Sequence, residues 1–363
     1  MNLSPLYRKY GTKILIIPLI VFVAFIYLAF FQPGISYGID FRGGVMISFS
    51  SSSPIPAQKI ADSIRSELGV TDVSVTPTQI PGTNRYGGFV EVVYPETAVG
   101  DVDETAVLTA GTEGTSTDTF KEKILAIIKR EVPDASDIVI RDVAPTLGST
   151  FWTLGLNMLL WAVVLLKMVV LFAFRRRLPL TTVFGVVFLD IVIAAGVGLG
   201  MGLPVIALAL ILLDTLLLIR RSADATPTII MLGSAVFDAI GMLALMALFR
   251  VPLTLQTMTI LLMMVGYSID TDIVLSTHLL KRGKEEGDEY ERAGRAADTG
   301  LHMSGTTLVS MLFILAVGYL TRNPDVLRIG AVMIFGVVSD VIITWLFNAP
   351  VMIAWVRRYE SAA

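Results

Sequence analysis

Cysteine is missing from all 363 residues, and histidine occurs only twice, as His278 and His302. The first absence excludes disulfides and thiolate metal sites. The second leaves no pair of histidines at a metal-binding spacing. No Walker A pattern of glycines followed by Lys-Ser/Thr occurs either, so nothing points to nucleotide hydrolysis or calls for a cofactor. Charge is scarce: 16% of residues are charged against 54% hydrophobic, with a mean hydropathy of +0.72. Soluble domains carry about 25% charged residues, so the composition excludes an ordinary soluble protein. It indicates a polytopic membrane protein with some water-facing mass. The net charge of −3 offers no footprint for nucleic acid. Its sign is uneven: acids outnumber bases within residues 32–150, and bases outnumber acids elsewhere.

What the chain has in abundance is long apolar runs. The first, inside "MNLSPLYRKYGTKILIIPLIVFVAFIYLAFFQPG", follows a basic flank but lacks a small-x-small cleavage pattern, so residues 1–31 read as a flank and a retained first span. Windows long enough to cross ~30 Å of hydrocarbon lie at 14–31, 152–174, 180–202, 203–219, 227–249, 252–277, 300–320 and 328–356. The third and fourth are joined only by "GMGLP". Basic residues test the count. With the N-terminus inside, Arg8, Lys9, Lys13, Arg175 to Arg177, Arg220, Arg221, Lys281, Arg282, Lys284, Arg357 and Arg358 all fall on the inner side. The outside turns between spans hold only Arg250, Arg322 and, near the last helix, Arg328. Removing one span spoils this asymmetry, so eight spans are expected, with six as the fallback.

Residues 32–150 are then an outside domain, 151–356 a transmembrane bundle and 357–363 an inner tail. The outside segment reads as strand ("ISYGIDFRGGVMISFS"), helix ("AQKIADSIRSELG"), strand ("VTDVSVTPTQ"), strand ("YGGFVEVVYP"), helix ("DTFKEKILAIIKREV") and strand ("DIVIRDV"). That is the ferredoxin-like α+β order. Ile124, Ile127 and Ile128 share the helical face expected to fill its core. "GIDFRGG" reads by itself as strand with a glycine turn, and "TAGTEGTSTDT" as a flexible surface loop.

An internal repeat is also present. Pro179, Asp190 and Pro204 recur as Pro227, Asp238 and Pro252, with the acid at the same distance from each proline. This suggests a duplicated helical hairpin, with residues of about 180–226 as the extra copy. Asp190, Asp214, Asp238, Asp270 and Asp272 all lie in expected spans, as does Lys167. An acid at mid-membrane costs about 2.5–3.5 kcal/mol, so these groups must face protein or water. In "VGYSIDTDIVLSTHLLKR" successive residues turn by about 100°. Asp270 therefore shares a face with Gly266 and His278, and Asp272 shares the opposite one with Ser268 and Ser276. The two acids cannot form one dyad. They either line polar interfaces between helices or merely hydrogen-bond their neighbours near the inner end. Asp238 reads as an ion-path acid or as a buried acid held by a hydroxyl. Lys167 reads as snorkelling or paired; His278 reads as interfacial or, because histidine titrates near neutrality, as a candidate ion-path or helix-interface group, and His302 as interfacial.

"GIDFRGG" (Gly38, Asp40, Arg42, Gly43, Gly44) just after the first span, "APTLGSTF" before the second and "GYSIDTDIVLSTHLLKR" (Gly266, Tyr267, Ser268) together resemble the SecF proteins of the SecD/SecF family, in the archaeal form "GYSxDTD". The family belongs to the resistance–nodulation–division (RND) superfamily. The resemblance implies a non-enzymatic membrane subunit that works with SecD beside the Sec translocon channel, on exported preproteins, driven by an ion gradient. It also implies an intramembrane acid on the ion path, which by chain order is Asp238 ("AVFDAIG") and by local sequence is Asp190 ("FLDIVIAAG"). The family pattern has six spans and commonly an arginine where His278 stands. A small-molecule or lipid exporter of the same superfamily, an intramembrane aspartyl protease and a passive assembly scaffold are the alternatives. The protease reading lacks the G-x-G-D motif it would need.

Overall fold

The computed structural model describes residues 3–79, 85–94, 114–143, 145–174, 178–200, 202–221, 225–280, 287–321 and 323–361. The basic turns at Arg175 to Arg177 and Lys281 to Lys284, and Arg322, lie outside them. Helices α1 (Ser4–Tyr10) and α2 (Ile16–Phe30), joined by a turn of 3₁₀ helix, make the first apolar rod. A single helical turn, α3 (Ile39–Arg42), leads into strand β1 (Gly44–Ser51). Then follow α4 (Ala57–Leu68), β2 (Val73–Gln79), β3 (Tyr86–Val93), α5 (Gly114–Glu131) and β4 (Ser136–Val143). Two of the expected boundaries are corrected here. The "GIDFRGG" stretch is not strand, because Gly38 and Gly43 bracket a helical turn and Gly43 takes φ +78°. The last part of the expected loop "TAGTEGTSTDT" is the start of α5; the rest of it lies outside the described residues.

The four strands form one antiparallel sheet in the order β2-β3-β1-β4. Register follows from burial. Ile47 pairs with Val90 on one side and Ile140 on the other, and Val75 pairs with Val90. Alternate residues of β1 and β3 (Val45, Ile47, Val90, Val92) point at α4 and α5, whose Ile60, Ile64, Ile124, Ile127 and Ile128 complete a closed apolar layer. Fully burying one such aliphatic side chain contributes about 1.5–3 kcal/mol. The Ile124–Ile127–Ile128 stripe is core, as its spacing predicts.

The remaining helices are α6 (Pro145–Phe174), α7 (Leu180–Gly198), α8 (Pro204–Arg221), α9 (Thr226–Leu248), α10 (Leu255–Leu280), α11 (Glu289–Thr321), α12 (Pro324–Ile343) and α13 (Ala349–Ser361). Seven helical rods among the described residues are long and apolar enough to cross a membrane, the first formed by α1–α2 and the last by α12–α13. A wide turn at Thr344–Asn348 interrupts that last rod. Helix α8 stands at the fourth expected position but carries Asp214, Arg220 and Arg221 and falls outside that set. α11 begins at Glu289, well before the expected 300, so its first turns are polar.

Small residues set the closest helix crossings, as expected where lipid supplies no hydrophobic drive between helices. A Cβ on Gly241 of α9 would land on Ser339 Oγ of α12 and 2.8 Å from the Phe25 ring of α2. A Cβ on Gly330 of α12 would meet the backbone of α11 at Leu315, 2.8 Å away. Helices α2, α6, α10 and α12 surround α9, which is therefore the centre of the bundle. The α7–α8 hairpin lies to the side, packed on α6 through two separate apolar clusters, one with Leu160, Val164 and Ile211, the other with Leu171, Val183 and Leu218. The two repeat copies differ in their place in the bundle, though Pro179 caps α7 and Pro227 sits in the first turn of α9.

Candidate functional site: a carboxylate cluster inside the bundle

Three helices meet around a set of buried acids. α9 supplies Asp238, α10 supplies Ser268, Thr271 and Asp272, and α12 supplies Ser339 and Asp340. The wide turn after α12 adds Thr344 and Asn348. Asp238, Asp272 and Asp340 are at most 1% exposed. The 3.6-residue period of α10 explains which of its polar groups are here, since Ser268, Thr271, Asp272 and Ser276 lie on its inner face and all four are buried. The wide turn matters too. Thr344 and Asn348, at its two ends, both reach Asp272.

Hydroxyls and an amide knit the acids together. Ser268 Oγ donates to Asp238 Oδ2, and Ser339 Oγ approaches Asp238 Oδ1 at 3.3 Å. Thr271 Oγ1 lies 2.8 Å from Asp340 Oδ1, and Asn348 Nδ2 donates to Asp272 Oδ1. Thr344 Oγ1 stands 3.2 Å from Asp272 Oδ1 and 3.0 Å from Asp340 Oδ1. A hydroxyl has one proton to give, so Thr344 can satisfy only one of the two acids at a time. Among the described residues no lysine, arginine or histidine is ion-paired with any of the three carboxyls. An unpaired buried carboxylate is far too costly to hold as a bare charge, and such groups ordinarily take up a proton instead.

The expected site residues divide by location. Asp238 and Asp272 enter the cluster, with Ser268 between them. Asp270 does not: it is exposed on the outer face of α10, beside Gly266, above which space is open. Asp190 does not either; it lies in the side hairpin, 2.8 Å from Lys167 Nζ, which also contacts Asp214. Lys167 is therefore paired rather than snorkelling. His278, in the last turn of α10, is buried, its Nδ1 3.0 Å from the Val274 carbonyl one turn earlier, and is not among the groups bonded to the acids. His302 is exposed on α11. Tyr267 Oη donates to Ser304 Oγ of α11 at 3.3 Å. Asp340 was not among the acids singled out from the sequence. Its signal was there, as an acid in the middle of the last apolar window with a serine before it ("VVSDVII").

The "GIDFRGG" turn works at the other end of α10. Asp40 is 5% exposed and accepts the Leu255 backbone N–H at 3.0 Å and Arg141 of β4 at 3.2 Å. Gly38 N–H donates to the Leu253 carbonyl at 2.7 Å, and a Cβ there would stand 2.6 Å from Thr254 Cγ2. A Cβ on Gly44 would land on the Val92 carbonyl, so the sheet admits only glycine at that point. Arg42 pairs with Asp72 at the surface. A second tie runs from α12, where Arg328 grips Glu91 of β3 at 3.0 Å, both largely buried.

Fold and site define a multi-pass membrane protein that keeps unpaired carboxyls inside its helix bundle and fastens that bundle to a small α+β domain. The family description "Protein export membrane protein SecD/SecF, C-terminal" matches residues 202–358, and "SecD/SecF GG Motif" matches residues 28–55. SecF from Thermococcus gammatolerans is 28% identical over 97% of this chain and 87% of its own length. SecF from Methanocaldococcus jannaschii is 38% identical over 35% of this chain and 45% of its own. The crystal structure of SecDF from Thermus thermophilus, described as a translocon-associated membrane protein, superposes with a TM-score of 0.52 at 17% identity, over 99% of this chain. This chain spans only 39% of that SecDF chain. The protein belongs to the SecD/SecF family of protein-export membrane proteins.

Proposed function

We propose that the chain is the SecF-type auxiliary subunit of a protein-export machinery, acting with a SecD partner beside the Sec translocon channel on exported preproteins. In this reading it is not an enzyme. The acids are closed in, at most 1% exposed, which leaves no room for a peptide bond and speaks against a protease. The chain crosses the membrane eight times, with residues 32–150 outside as a ferredoxin-like domain and both termini in the cytoplasm. α8 is the disputed span, and the pairing of Asp214 with Lys167 supports its crossing by offsetting its charge. Without it, Arg357 and Arg358 would lie outside, against the distribution of the other bases.

The observation that carries the reading is the Asp238–Asp272–Asp340 cluster, which has no basic partner among the described residues. Its charge is set by protons taken up or released, which makes it the natural ion-path site, with Asp238 rather than Asp190 as the central acid. One proton moving across 100 mV is worth about 2.3 kcal/mol, enough to shift a domain between arrangements a few kcal/mol apart. Both helices that bring acids from the flanks of α9 are tied to the outside domain, α10 through Asp40 and Arg141, α12 through Arg328 and Glu91. A change in cluster charge would re-pair Thr344, alter the packing of α10 against α12 and move those ties. The exposed Asp270 and Gly266 face of α10 is where a polar partner helix from SecD would lie, because a lone acid cannot face lipid.

The test compares Asp238→Asn and Asp190→Asn with the parent, each reconstituted with its SecD partner and the channel, following preprotein export with and without an ion gradient. Asp238→Asn should lose the gradient-dependent part while the complex still assembles, and Asp190→Asn should retain it. Equal gradient-dependent export by Asp238→Asn and parent would overturn the coupling and leave a scaffold role.

A further inference from the structure

The side hairpin holds a second charge cluster that the bundle does not use. Lys167 of α6 is 0% exposed, yet its Nζ is 2.8 Å from Asp190 Oδ2 of α7 and in contact with Asp214 Oδ1 of α8. The Ile211 carbonyl, 3.3 Å away, takes a further contact with the ammonium. Three helices thus place one cation between two carboxyls. No other charged side chain is paired with these three among the described residues; the remaining polar neighbour is Thr215, whose hydroxyl is 2.7 Å from the Ile211 carbonyl and 3.3 Å from Asp214 Oδ1. With all three groups ionised the cluster carries one uncompensated negative charge in the apolar layer. Its polar atoms are also incompletely satisfied: Asp190 Oδ1 and Asp214 Oδ2 are buried with no hydrogen-bond donor among the described residues. A buried carboxylate oxygen without a donor is a place for a proton or a small cation.

We propose that Lys167, Asp190 and Asp214 form a second exchangeable-proton site, distinct from the Asp238 cluster and carried by the additional hairpin. A proton taken from water adds to one carboxyl oxygen, leaving Lys167 and the other carboxylate as a neutral ion pair. Its release restores the net charge of minus one. The entry side is fixed by exposure, since the Asp214 side chain is 19% exposed while Asp190 and Lys167 are 1% and 0%. Asp214 also lies six residues before Arg220, about 9 Å along the helix from the basic end of α8. Protons therefore enter through Asp214 and are stored against Asp190. This site does not depend on the export reading, because proton binding by the chain is measured directly.

The test is a pH titration of the purified full-length protein in lipid nanodiscs, reading protonated carboxyls by infrared difference spectroscopy and counting protons bound. Either Asp190→Asn or Asp214→Asn leaves Lys167 with a single acid, so each should remove the same one proton from the count, and the pair together should expose an unpaired lysine. Lys167→Met should add a proton, because both acids must then be neutral. Thermal unfolding of each variant identifies any that misfold; Asp214, being partly exposed, tolerates the change best and keeps the test open. Parent and Asp214→Asn binding equal numbers of protons would overturn the proposal. So would a signal that follows sodium concentration and not pH, which would make this a sodium site.

Discussion

Asp40 caps a helix to which it does not belong in sequence, and removing it should have a measurable and divisible cost. The first N–H groups of α10 have no partner within the helix. Thr254 and Thr257 satisfy each other's backbone amides at 2.7 and 3.1 Å, and Asp40 accepts the Leu255 amide at 3.0 Å. A lost N-terminal cap costs about 1 kcal/mol, and a negative charge at a helix start adds about 0.3–1 kcal/mol. The pairing with Arg141 contributes less, roughly 0.2–1 kcal/mol, because that guanidinium is 59% exposed. Asp40→Ala should therefore lose about 1.5–3 kcal/mol, whereas Asp40→Asn, which still offers an oxygen to Leu255, should lose only the charge-dependent part, about 0.5–2 kcal/mol. Denaturant unfolding in nanodiscs gives the two values. Hydrogen exchange should show the Leu255 amide losing protection in the alanine variant and keeping it in the asparagine one. If alanine and asparagine cost the same, the cap is not what Asp40 supplies. If neither costs more than about 0.5 kcal/mol, the joint between the small α+β domain and α10 does not rest on this residue.

Gly241→Ala should destabilise the bundle by about 1–3 kcal/mol through overpacking, because its Cβ would occupy the position of Ser339 Oγ; chemical unfolding reads this, and a neutral result would mean that α9 and α12 are not in close contact. The small α+β domain should also respond to acid. Hydrogen bonds first from Ser52, and then from Ser51 and Ser53, hold the Asp134 carboxyl well below the usual carboxylate range. A group with a lowered folded pKa contributes stability that is full above its unfolded value and fades as pH falls through the folded one. Amide exchange at Ser52 and Ser53 should therefore quicken below the ordinary carboxylate range, and Asp134→Ala should be fast at every pH; unchanged protection in that variant would refute the assignment.

The sequence by itself determined a good deal. Long apolar windows separated by basic turns dictate where membrane helices form, because each backbone group in lipid must bond within its own segment. Helices stand at every expected position, and the period-2 and period-3.6 patterns of residues 44–143 placed the strands and helices of the small domain. Periodicity along α10 likewise separated Asp272 from Asp270, since that depends only on 100° per residue. The resemblance carried by "GIDFRGG" and "GYSIDTD" named the family. Tertiary structure alone decided which copy of the repeat is central. Asp190 and Asp238 have the same local spacing, and only the packing of α9 among α2, α6, α10 and α12 sends Asp238 to the acids and leaves Asp190 to a lysine. It also decided that Asp40 caps α10, that "GIDFRGG" turns as helix rather than strand, and that Asp340 completes the cluster. Each of these is a meeting of segments far apart in the chain, and local periodicity carries no information about which distant face a polar side chain will find.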